Sequence, residues 1–139
     1  MSGLLPINAQ KGKMMNATWL LRLPISLTFL YHGAGKLLVP QLSAELHGLP
    51  LWLTLLVGVA EMAVAAGILA GGTRWRFATV GNRLGSLGAI PILLGAIAIE
   101  HWPKWSFVAS ESHPLGGMEF QVALLGVALF LLFEGHRRA

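Results

Sequence analysis

Four apolar runs divide the chain: Ala17 to Val39, Pro50 to Ala70, Phe77 to about Ile99, and Gly117 to Gly135. A helix rising 1.5 Å per residue needs about 20 apolar residues to cross about 30 Å of hydrocarbon, so each run is read as a spanning helix. Pro40 closes the first run, and Gly71 with Gly72 closes the second, where a helix can turn without a side-chain penalty. The polar, proline-containing stretch from His101 to Gly116 is the only sizeable loop in this reading. The pattern predicts an all-α protein, an integral membrane four-helix bundle occupying 17–139, preceded by a cytoplasmic tail, 1–16.

Composition agrees with a lipid solvent. Of 139 residues, 55% are hydrophobic and 12% charged, well to the apolar side of a soluble domain. The formal charge of +4 does not point to nucleic acid, because the Lys and Arg residues sit at the ends of apolar runs and form no basic face. Lys11, Lys13, Arg74, Arg76, Arg137 and Arg138 fall at the N-terminus, the second loop and the C-terminus, which four crossings bring to one side. The positive-inside rule makes that side cytoplasmic and the expected location the inner membrane, with both termini inside. All five tryptophans lie near expected span ends, where an indole suits headgroup depth. The apolar stretch after Lys13 is too long for a signal-peptide core, so the first helix is expected to be retained. The absence of cysteine excludes disulfides, thiolate nucleophiles and Cys-ligated metal clusters.

Inside lipid, helices associate through close backbone approach at small residues. Gly81, Gly85, Gly88 and Gly95 fall within about 80° of arc on the third run, and Gly58 shares a face with Glu61 on the second. These are expected packing positions. Pro24 and Pro91 sit inside runs and predict kinks.

Buried charge is the costliest feature of the chain, which singles out Arg22, His32, Lys36, Glu61, Arg83 and Glu119. Arg22, Ser26, Phe29, Gly33 and Lys36 share one sector of the first run, with His32 at its edge, and that sector should face inward. Glu61 lies too deep to snorkel, so it must be protonated or partnered; Arg22 and Arg83 are its expected partners. His32 and Lys36 are expected near the depth of Glu119, whose place at a helix start also favours the positive dipole end. Either set could simply clamp helices, whereas a mid-membrane carboxylate near cations is also chemically suited to a polar quinone head or a proton. His47, His101, His113 and His136 lack metal-ligand spacing, and no metal site is expected. No phosphate loop, Ser/His/Asp set or HExxH pattern is present.

Arg22-Leu23, Phe29, His32-Gly33, Lys36-Leu37, Glu61, Gly67, Arg74 and Gly116-Gly117-x-Glu119 together resemble the DoxX family, over all four runs. Ser26 stands where that family usually has glycine, and Pro24 is a second departure. The resemblance implies a redox neighbourhood, with quinone as the one cofactor to consider and Arg22, Lys36, Glu61 and Glu119 as matching polar positions. The leading expectation is a small membrane subunit of a quinone-linked respiratory or sulfur-oxidising complex, contributing a quinone site, and a subunit rather than a stand-alone enzyme. The alternative is a non-catalytic scaffold docking to a larger membrane assembly; a small transporter or proton conductor ranks lowest. Expected partners are the bilayer and other subunits or further copies of the chain.

Overall fold

The computed structural model describes the backbone of residues 7–134 and the side chains of residues 17–133. Among the described residues, five α-helices and one π-helical turn make up the fold: α1 (Ile7–Leu38), α2 (Pro40–His47), α3 (Leu51–Ala70), α4 (Ala78–Ala96), the π turn (Ile97–His101) and α5 (Glu119–Glu134). No strand occurs among them beyond an isolated bridge between Ser110 and His113. The described residues are therefore all-helical, as expected. α3 and the continuous segment Ala78–His101 are long and apolar enough to cross a membrane, and α5 carries a shorter apolar stretch, Glu119–Phe133.

Three boundaries differ from the sequence reading. α1 begins at Ile7, so the expected tail is largely helical backbone; residues 1–6 and 135–139, with Arg137 and Arg138, lie outside the described residues. Pro40 does end the first run, because the backbone breaks at Val39 (φ −132°, ψ 62°), but it also begins α2. A proline at the first helical turn loses no intrahelical bond, and its fixed φ suits the start of a helix. Gly48 then closes α2 in the left-handed region (φ 60°), where its N–H and that of Leu49 return to Glu45 and Ala44. Finally, α4 is followed by the π turn, sealed by a bond from Trp102 N–H to Ile97 O at 2.8 Å.

The long helices pack in chain order, α1 on α3, α3 on α4 and α4 on α5, with a lighter contact between α1 and α5; α2 lies against α1 and α3. Each long helix contributes one face to the core: Ile25 and Phe29, then Val64, Ala65 and Ile68, then Ala89 and Leu93, then Leu124, Ala128 and Leu131. The three-and-four spacing of these positions is that of a helical stripe.

Glycines set the closest crossing. A Cβ on Gly85 would lie 2.8 Å from Ile68 N and 2.9 Å from Val64 O, and one on Gly67 would lie 2.7 Å from Gly81 O. Gly88 meets a Val64 methyl, and Gly58 meets Lys36 and Leu37 of α1. Gly95, expected in the same seam, does not join it: nothing lies within 4 Å of its built Cβ. It lies about two turns beyond Gly88, past the close crossing, and borders a cavity instead.

Beside the apolar core, charged and polar side chains are buried while many large apolar ones face outward. Arg22, Ser26, Lys36, Thr54, Glu61, Asn82 and Ser86 are buried, while Leu20, Leu27, Leu56, Leu84 and Phe133 are exposed. So much exposed apolar side chain marks a surface made for contact with lipid or another protein.

Candidate functional site

Lys36 and Glu61 meet between α1 and α3, because Gly33 and Gly58 let the two backbones close up beside them. Lys36 Nζ donates to both carboxylate oxygens of Glu61 at 3.0 Å, and both side chains are buried. The carboxylate thus has the partner its depth demanded, but that partner is neither of the expected arginines. Lys36 lies on the same inward stripe of α1 as Phe29 and Gly33, all three buried.

Arg22 serves a different layer. It is almost fully buried, and its Nη1 donates to Ile68 O at 2.8 Å and to Asn82 Oδ1. Asn82 in turn donates through Nδ2 to Leu131 O, so one polar chain links α1, α3, α4 and α5. Gly71 and Gly72 make room for it, since a Cβ on either would press on Arg22, Asn82 or Trp19. Arg83 does not reach Glu61: it makes no hydrogen bond or ion pair among the described residues, and its Nε is buried. Glu119 likewise forms no ion pair among the described residues, so the expected layer of His32, Lys36 and Glu119 is not assembled as pairs. Glu119 instead opens α5, where a carboxylate complements the helix dipole.

A cavity of about 690 Å³ lies beside the Lys36–Glu61 pair, bordered by α1, α2, α3, the end of α4 with its π turn, and α5. Its walls are mostly apolar, with Phe29, Leu53, Val57, Leu93 and Leu124 among them. The polar exceptions include His32, Lys36, His47, Glu61, Glu100, His101 and Gln121. Of these, sequence reasoning singles out only His32, Lys36 and Glu61.

The π turn explains part of what the sequence hides. Its extra residue brings the consecutive side chains of Glu100 and His101 to the same cavity, and such turns often mark functional sites. His101 is buried; its Nδ1 lies 2.8 Å from Gly116 O and therefore carries the proton, so Nε2 accepts from the Gln121 amide at 2.8 Å. His47 donates from Nδ1 to Ser43 O at 2.7 Å and turns Nε2 toward Glu100 Oε1 at 3.8 Å. Asn82 has a readable signal, since an amide within an apolar run needs a partner as surely as a charge does. No cluster of His, Cys, Asp or Glu among the described residues has the geometry of a metal site.

Buried charged and amide groups beside an apolar core, apolar side chains turned outward, and two helices long and apolar enough to cross a bilayer fit a membrane protein. The family model described as DoxX matches residues 17–102, more than half of the chain, and the chain belongs to the DoxX family. The match runs from α1 through the π turn and leaves α5 and the Gly116-Gly117-x-Glu119 segment outside it. Comparison with curated proteins and with solved structures gives no match.

Proposed function

We propose that this protein is a multi-pass subunit of a quinone-linked redox complex in the inner membrane, and that its cavity receives the quinone head. The observation that carries the reading is the cavity itself, whose apolar walls are interrupted by the buried Lys36–Glu61 pair. A volume of about 690 Å³ falls within the range of small-molecule sites. A quinone ring needs flat apolar walls and a few donors for its two carbonyl oxygens. Lys36 has three N–H groups, of which two face Glu61, leaving a third for a ligand. When bound, the quinone supplies the electron chemistry; the chain's own residues bind and orient it.

Purified protein should bind a short-chain alkyl benzoquinone saturably in detergent, read by quenching of tryptophan fluorescence. A folded protein showing no saturable quenching would overturn the reading.

In the same reading both termini and the loop between α3 and α4 lie in the cytoplasm, with the 102–118 loop outside. The chain has no cysteine, so single introduced thiols report sidedness without background. In intact cells, Ser112→Cys should react with a membrane-impermeant thiol reagent and Thr73→Cys only after permeabilisation; the reverse pattern would invert the orientation.

A further inference from the structure

We infer that His32 is the residue that hydrogen-bonds the distal oxygen of the cavity's ligand, and that it lets the site hold both the oxidised and the reduced form of a quinone-type ring. The inference rests on the quinone reading above and assigns a specific side chain to it.

Most other polar groups of the cavity are already committed; Gln121 Oε1, buried without a hydrogen-bond partner, can only accept, and the exposed Tyr31 hydroxyl is the rival donor that Tyr31→Phe removes. Both nitrogens of His101 are engaged, one by Gly116 O and the other by Gln121. Nδ1 of His47 is held by Ser43 O, and its Nε2 faces Glu100. Lys36 spends two donors on Glu61, and its remaining group can only donate. His32 borders the same cavity, is exposed, and has no hydrogen-bond partner for either ring nitrogen among the described residues. The Tyr31 ring meets it in a T-shaped contact, with centroids 5.5 Å apart and planes at 86°, which steadies the imidazole.

His32 and Lys36 are four residues apart on α1 and so lie one above the other on the helix surface. A ring carrying oxygens at opposite ends can therefore be met by Lys36 at one end and His32 at the other. A carbonyl oxygen accepts from the imidazole N–H. A hydroxyl instead donates to the bare ring nitrogen, so a neutral imidazole serves either form by choice of tautomer.

The test titrates purified protein, without oxygen, with a short-chain alkyl benzoquinone and with the hydroquinone made from it. Wild type should bind the two within about fivefold of each other. His32→Leu should weaken both by about tenfold, the effect of one lost hydrogen bond. His32→Gln, which keeps a donor and an acceptor, should restore both to within about threefold, and Tyr31→Phe should change neither by more than that. Because His32 is exposed, these variants should keep the wild-type thermal midpoint, which would establish that binding and not folding has changed. Unchanged binding in His32→Leu, failure of His32→Gln to restore it, or strong preference of wild type for one form would overturn this assignment while leaving the quinone reading intact. Binding of neither form by wild type would overturn both.

Discussion

Glu61→Met should destabilise the protein by about 3 kcal/mol, whereas the double variant Lys36→Met with Glu61→Met should lose far less. Both side chains are buried, and each carboxylate oxygen takes a hydrogen bond from the ammonium at 3.0 Å. Removing one partner strands a charge in a medium that will not solvate it, which costs about 3–5 kcal/mol in buried pairs; removing both replaces the pair by apolar volume and is often close to neutral. The cavity beside the pair admits some relief, which favours the lower end of that range. Unfolding midpoints of wild type, the two single variants and the double variant in one detergent complete the cycle. If the double variant is as unstable as the singles, the pair is not an isolated charge balance. A folded double variant that has also lost quinone binding would show that the pair serves the ligand as well as the fold.

The second large effect is expected at the crossing of α3 and α4. Gly85→Ala should cost about 1–3 kcal/mol, because its Cβ would press on Ile68 N at 2.8 Å and Val64 O at 2.9 Å. Those are backbone atoms and cannot swing aside, so α4 must move off α3. Gly126→Ala is the matched control: nothing lies within 4 Å of its built Cβ, and alanine favours the helix. Its midpoint should hold or rise. Equal losses in the two variants would mean that glycine matters here for backbone flexibility and not for close approach.

These residues also show how far the sequence can be read. The apolar runs locate α3 and the α4 segment within a few residues, because lipid demands long uninterrupted hydrophobicity. The inward sector of α1 is readable from helical spacing alone, and Arg22, Ser26, Phe29 and Lys36 are all buried. The partner of Glu61 is not readable. Charge and depth point to Arg22 and Arg83, whereas the choice of Lys36 depends on Gly33 and Gly58 drawing α1 onto α3 at that level. α2 escapes notice because Pro40 after an apolar run reads as a stop, although proline is equally at home in a first turn. The π turn leaves no compositional mark, so the joint approach of Glu100 and His101 to the cavity cannot be foreseen.

The amide side chains of Asn82 and Gln121 have a consequence for how the helices move. Asn82 of α4 grips Leu131 O near one end of α5, and Gln121 of α5 grips His101 at the other. A helix that slid away would leave buried polar atoms stranded at both ends. α4 and α5 are thus tied at both ends of α5, so the two helices should open and close as one unit.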